Sequence, residues 1–153
     1  MPNNNIKDVA KNIITISNDM GFKITNLKLN NLLYIVQCES YRRCGEPIFV
    51  EDLYACEIGV RNVDIYRCYL GYGASNIPKE EYTPMLPIQD MDILVDIIEI
   101  TADANIWTIV DIVKDTTPWD FMWKIFRGKF PIYKQMMKNT FWENKSSFMD
   151  LDT

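Results

Sequence analysis

Residues 24–37 read Ile24-Thr-Asn-Leu-Lys-Leu-Asn-Asn-Leu-Leu-Tyr-Ile-Val-Gln37, and this stretch decides the fold. On a helical wheel, the helix that begins in this stretch and continues past Tyr41 has two apolar sides. One side holds Leu29, Leu32, Leu33 and Val36, and the other holds Leu27, Tyr34, Cys38 and Tyr41. A surface helix needs only one apolar side, so we expect this helix to be central and packed between two layers. Thr25 can cap its start and Gly45 can end it in a left-handed conformation, which predicts a central helix over 25–44.

The rest of the chain predicts a mainly α fold, a compact bundle of six or seven helices around that central helix. The predicted flanking helices cover 5–20, 63–70, 90–103, 105–114, a stretch beginning at Thr117, and 131–141. Alternating apolar residues predict at most a small β-hairpin near 47–59. Three prolines and the lack of a period predict a surface loop over 74–87. We expect one helical domain over 1–142 and a flexible tail over 143–153. Trp142, at the end of the domain, and Phe148, in the tail, could anchor a partner.

Composition places the chain among ordinary globular proteins. It has 153 residues, of which 48% are hydrophobic and 24% charged, enough for one domain with its own core. No apolar run reaches the length of a membrane span. The polar N-terminus does not resemble a signal peptide, so we expect a cytoplasmic protein with no membrane association.

The chain carries few of the residues that catalysis and metal binding use. It has no histidine, and its four cysteines have no Cys-x-x-Cys spacing, which favours buried free thiols over a zinc site. Asp92, Asp96 and Glu99 share one helix face, either as a metal or acid/base site or as a solvated face; we favour the solvated face. We therefore expect a non-enzymatic protein with no cofactor and no metal.

Charge and aromatic content point to a protein partner. The net charge of −5 argues against direct nucleic-acid binding, since only Lys124, Arg127 and Lys129 cluster locally. A basic protein is the natural complement of such a chain. The helix after Thr117 has an apolar face wider than one docking contact needs. We expect it to be wedged between layers; the alternative is that it exposes aromatic residues to a partner.

The opening stretch also carries a family resemblance. Together with Gly45-Glu-Pro-Ile-Phe49 it resembles the Panacea domain, the SocA-like and GepA-like antitoxin family of bacterial and phage genomes. Similar motifs follow in Ala55-Cys-Glu-Ile-Gly59-Val-Arg61, in Ile65-Tyr66 and Tyr72-Gly73, and in Pro118-Trp119. The chain departs from the family pattern at Cys56, Val60 and Lys114, which replace a tryptophan, a proline and a histidine.

This resemblance implies an antitoxin that neutralises a toxin by direct binding. Seven residues are candidates for the partner interface: Lys28, Gln37, Arg61, Tyr66, Trp119, Trp123 and Phe126. Five others are expected to be structural: Leu29, Leu33, Tyr34, Gly59 and Pro118. For Lys28 and Gln37 a buried polar network is the competing interpretation. The alternative function is a phage or mobile-element accessory protein that inhibits a host defence or nuclease component by binding it.

Overall fold

The computed structural model describes residues 4–140 and has a mainly helical architecture with one small hairpin, which confirms the predicted fold class. Within that range the helices are α1 (Ile6–Asp19), α2 (Asn26–Cys44), α3 (Val63–Cys68), α4 (Ile88–Thr101), α5 (Ile106–Lys114), α6 (Thr117–Phe126) and α7 (Lys134–Thr140). The strands are β1 (Tyr54–Cys56) and β2 (Gly59–Arg61), and a short 3-10 turn covers Leu70–Tyr72. None of the described helices is both long and apolar enough to cross a membrane.

Helix α2 is the centre of the molecule, as its two apolar sides predict. Fifteen of its 19 residues are buried, and α1, α3, α4, α5, α7 and β2 all pack on it. The Thr25 side chain accepts the Lys28 N–H at its start, and Gly45 ends it at φ 72°. Both ends therefore form as local capping chemistry predicts.

Three buried amides on α2 hold the irregular chain that follows it. Gln37 donates to the Phe49 carbonyl at 2.8 Å and accepts the Ile48 N–H at 2.9 Å. Asn31 donates to the Ile58 carbonyl, and Asn30 accepts the N–H of residue 62. Because α2 is buried on all sides, these side chains supply the hydrogen bonds that water would supply to backbone groups at a surface.

The hairpin lies later than predicted. Its antiparallel strands pair Tyr54 with Arg61 and Cys56 with Gly59, so it covers 54–61 rather than 47–59. The earlier residues 48 and 49 pair with Gln37, and Phe49 also forms a single bridge with Asn4. Their backbone groups are satisfied there, and no strand partner is required.

Several element boundaries also shift. Helix α4 begins at Ile88, directly after Pro87, and ends at Thr101, so it lies two residues earlier than predicted. The N-cap of α6 is Thr116 rather than Thr117, and the Thr116 hydroxyl pairs with the Tyr34 hydroxyl at 2.7 Å instead of accepting a helix N–H. The expected tail over 143–153, with Phe148, and the neighbouring Trp142 lie outside the described residues.

The predicted surface loop over 74–87 has no helix or strand before Pro87, and polar contacts attach it to α1 and to the start of α2. The Asn18 side chain donates to the Ile77 carbonyl at 2.9 Å, and Asn12 donates to the Pro84 carbonyl at 2.6 Å. Asn76 accepts the Ile24 N–H at 2.7 Å. The loop is thereby fixed along the side of the bundle.

Candidate functional site

Trp119 anchors the first turn of α6 in the interior. Its indole N–H donates to the Cys56 carbonyl of β1 at 3.0 Å, and its ring stacks on Trp123 at 6.1 Å. The Lys114 ammonium lies 5.1 Å from the centre of the Trp119 ring. Pro118 is buried in the first turn, as its predicted structural role requires. Trp119 is buried too, so it positions α6 rather than offering its own surface to a partner.

The remainder of α6 and the segment after it expose a cluster of apolar side chains. The exposed fractions are 42% for Phe121, 60% for Ile125, 53% for Phe130 and 48% for Tyr133. Half-buried Phe126 lies among them, with ring centres 6.3 Å from Phe121, 5.1 Å from Phe130 and 6.2 Å from Tyr133. We call these five residues the aromatic surface.

The aromatic surface overturns the expectation that α6 is wedged between layers. Trp119 and Met122 fill the interior side of the helix, and little room remains there for the rest of its wide apolar face. The left-handed residues Arg127 (φ 52°) and Gly128 (φ 81°) then turn the chain so that Phe130 follows next to Phe126. The exposed-aromatic alternative is therefore the one that the described residues adopt.

The segment that carries the aromatic surface is rich in positive charge, although the whole chain is acidic. Residues 117–138 hold five Lys or Arg and a single Asp, a net charge of +4 in a chain of −5. Lys124 pairs with Asp120 at 2.9 Å, and the Arg127 guanidinium lies 5.4 Å from the Trp123 ring centre. Lys129 is exposed beside them. The local charge of this segment is therefore opposite in sign to the net charge of the chain.

Lys28 and Tyr66, two of the predicted interface residues, meet in a second feature of the molecule. They line a cavity of about 620 Å³ between the start of α2, α3 and the start of α5, which we call the Lys28 cavity. Lys28 is 9% exposed, and its ammonium donates to the Thr101 carbonyl at 3.1 Å. Burial lowers the pKa of Lys28, and the negative charge of Asp103 opposes this shift. Arg61 does not line the cavity; its guanidinium carbon lies 4.9 Å from the centre of the Tyr66 ring.

The other predicted residues have structural positions. Gln37 is wholly buried and bonded to residues 48 and 49, which supports the polar-network interpretation over an interface role. Leu29 and Leu33 lie in the core, and Tyr34 is buried with its hydroxyl on Thr116. Gly59 has φ 109°, the backbone conformation that its predicted role requires.

The acidic strip of α4 lies on the outer side of the bundle. Asp92 and Glu99 are exposed, and Asp96 forms a 2.7 Å ion pair with Arg43, which also binds Glu39. Within residues 4–140 no three His, Cys, Asp or Glu side chains are grouped to hold a metal ion. Two of the three carboxylates therefore face solvent, while Asp96 joins α4 to the end of α2.

The cysteines are free thiols, but they are less buried than expected. Cys38 is buried, Cys56 is half-buried, and Cys44 and Cys68 are exposed. Burial raises the pKa of the Cys38 and Cys56 thiols, which disfavours the reactive thiolate form at both positions.

Sequence reasoning missed Trp107 and Tyr133 as surface residues, and it placed Phe130 on the wide apolar face of α6, with exposure only as the alternative. Trp107 is 55% exposed and lines the Lys28 cavity. It lies outside the stripe of Ile109, Val110 and Val113 that α5 buries, and this position was an available signal. Phe130 and Tyr133 flank Pro131, where helical periodicity gives no guide to orientation. Their exposure follows from the turn at Arg127 and Gly128.

Comparison with known proteins gives no match to a family model, a curated protein or a solved structure. The family resemblance therefore rests on the motifs quoted from the sequence alone.

Proposed function

We propose that this chain is a non-enzymatic, antitoxin-like protein that neutralises a protein partner by binding it through the aromatic surface. The observation that carries the proposal is the group of exposed apolar side chains on one side of α6 and its continuation. Large exposed apolar residues that touch one another are typical of protein interaction sites rather than of a solvated surface. The antitoxin role itself comes from the resemblance of the opening and Pro118-Trp119 motifs.

The composition of the aromatic surface supports protein recognition. Aromatic residues and arginine are enriched at the energetic centres of interfaces. Phe126 holds three neighbouring rings in edge-to-face contacts, so the surface is organised before a partner arrives. Rigid anchors lose little conformational entropy on binding.

The positive charges in the segment that carries the aromatic surface support an acidic partner. Arg127, Lys129 and Lys124 lie next to the apolar residues in sequence and favour carboxylates around the edge of the contact. A complete interface of ordinary size buries about 1,600 Å² in total, so neighbouring residues must extend the contact. We place this encounter in the cytoplasm, in a bacterial or phage setting, on the strength of the resemblance.

A matched pair of substitutions tests the proposal. Ile125→Asp puts a charge on the aromatic surface, at a residue that is 60% exposed. Ile88→Asp makes the same chemical change at a residue that is 80% exposed in the first turn of α4. Neither side chain is buried, so both variants should fold, as circular dichroism can verify.

The assay is rescue of growth by co-expression with each protein encoded beside the gene. We expect one neighbour to arrest growth alone, and wild type and Ile88→Asp to restore it in a stoichiometric complex. Ile125→Asp should bind at least about tenfold more weakly and fail to rescue. Equal rescue by Ile125→Asp, or no neutralised neighbour, would contradict the proposal, as would recovery of nucleic acid in place of protein. A host defence or nuclease component as the bound partner would establish the accessory-protein function instead.

A further inference from the structure

We infer that the Lys28 cavity binds a small carboxylic acid with an apolar, preferably aromatic, body. The inference concerns residues remote in sequence from the aromatic surface, and it does not depend on the proposed toxin-binding function. Its basis is the combination of a buried ammonium and apolar walls in one cavity.

The size and walls of the cavity suit a small organic molecule. Its volume of about 620 Å³ lies in the range of ligand pockets, about 300–1,000 Å³. Apolar side chains from four parts of the chain form the walls: Leu27, Ile58, Leu70, Ile106 and Trp107. Tyr66 adds a second aromatic face. A ligand body that fills this space must itself be largely apolar, and the rings of Trp107 and Tyr66 favour a flat one.

Lys28 provides the charge that selects an acid. Its ammonium has three N–H groups, and the Thr101 carbonyl accepts one of them at 3.1 Å. No carboxylate within residues 4–140 lies at ion-pair distance from it; Asp103 acts on Lys28 only through its longer-range field. A buried cation is stabilised by an anionic partner with matching hydrogen bonds, and a ligand carboxylate supplies both.

The same arrangement argues for a carboxylate rather than a phosphate. A phosphate carries up to two charges and needs several donors once it leaves water, whereas this cavity holds one buried lysine. The second lysine of the lining, Lys23, is exposed. It can attract an anion toward the cavity without the cost of burying another charge.

The test uses 3-phenylpropionate and its neutral isostere 3-phenylpropionamide. Each is titrated at millimolar concentration into 15N-labelled full-length protein, and amide shifts are followed by NMR. We expect the acid to shift the amides of Lys28 and Trp107, and to bind at least about tenfold more tightly than the amide. Lys28→Met should remove this preference, while the control Lys7→Met, at an exposed position on α1, should keep it.

A second variant keeps the test decisive if Lys28→Met does not fold. Ala74 is exposed and lines the cavity, so Ala74→Trp should close the cavity without touching the core and should abolish binding of the acid. Several results would overturn the inference: no shift of the cavity amides, equal binding of acid and amide, stronger binding of inorganic phosphate, or shifts confined to the amides of the aromatic surface.

Discussion

Replacing Gly59 by alanine should disrupt the junction between the hairpin and the central helix. A Cβ at this position would lie 1.9 Å from the side-chain oxygen of Asn31 and 2.8 Å from its Cγ. That oxygen accepts the buried Val60 N–H at 3.2 Å. The backbone also has φ 109°, which residues other than glycine rarely adopt. Alanine at residue 59 would therefore strain the backbone and would also collide with the Asn31 side chain, which is hydrogen-bonded to Val60.

The cost follows from these two effects. Backbone strain of this kind costs about 1–3 kcal/mol. Moving the Asn31 side chain leaves the Val60 N–H unpaired in the interior, which costs about 1–3 kcal/mol more. We expect Gly59→Ala to lower the free energy of unfolding by about 3 kcal/mol or more, and to lower Tm by about 6–12 °C for a domain of this length.

Thermal unfolding followed by circular dichroism measures the effect, with Gly21→Ala as the matched control. Gly21 also has a positive φ, of 79°, but a Cβ added there would meet no atom within 4 Å. This variant should lose only the strain term, about 1–2 kcal/mol. Asn31→Ala combined with Gly59→Ala should cost less than the sum of the two single changes, because both single changes lose the Asn31–Val60 hydrogen bond and the double variant has no collision. Equal Tm values for Gly59→Ala and Gly21→Ala would refute the collision argument.

Three further changes test the interior. Gln37→Leu removes the side-chain partner of three backbone groups of the following loop and should cost about 3 kcal/mol in urea unfolding; an unchanged midpoint would contradict this account of the loop. Trp119→Phe loses the hydrogen bond to β1 and should cost about 1–3 kcal/mol, whereas wild-type stability would show that ring packing alone holds α6. Burial raises the folded-state pKa of Cys38 and Tyr34, so the unfolded chain ionises first. The stabilisation that each neutral group contributes is complete below pH 9.0 and is lost as the pH rises past its ordinary pKa, 9.0 for Cys38 and 10.0 for Tyr34. Tm measured against pH should therefore fall at alkaline pH, and Cys38→Ala should make the fall smaller. A flat alkaline profile in wild type would be the contrary result.

The central helix could be predicted because its signals are local. Thr25 and Gly45 act on the helix end that each one occupies, and the two apolar sides follow from the spacing of neighbouring residues. The same holds for Asn5, Asn62 and Asn105, whose side chains accept backbone N–H groups at the starts of α1, α3 and α5. Capping and periodicity need no knowledge of the rest of the fold.

The strand position and the cap of α6 depended on distant residues. The segment around Ile48 has an alternating pattern, yet Gln37 takes its backbone hydrogen bonds and the hairpin forms later. Thr116 takes the cap position while its hydroxyl pairs with Tyr34, 82 residues away in sequence. Such contacts compete with local preference and cannot be read from a window of neighbouring residues.

Only part of the candidate site could be predicted, because the rest also depends on contacts between distant residues. The width of the apolar face of α6 was visible in the sequence, but its division into a buried and an exposed part depends on β1, which binds the Trp119 indole. The Lys28 cavity combines residues from the start of α2, from α3 and from α5. No motif spacing brings these segments together, since only the packing of the helices does so.

Helix α5 links the two features. Its first turn lines the Lys28 cavity, and its last residue, Lys114, places an ammonium over the Trp119 ring, about 12 Å along the helix from Ile106. A cation in this position contributes about 0.5–1 kcal/mol to holding the ring. Because Trp119 lies in the first turn of α6 and its indole binds β1, Lys114 helps to hold the helix that carries the aromatic surface.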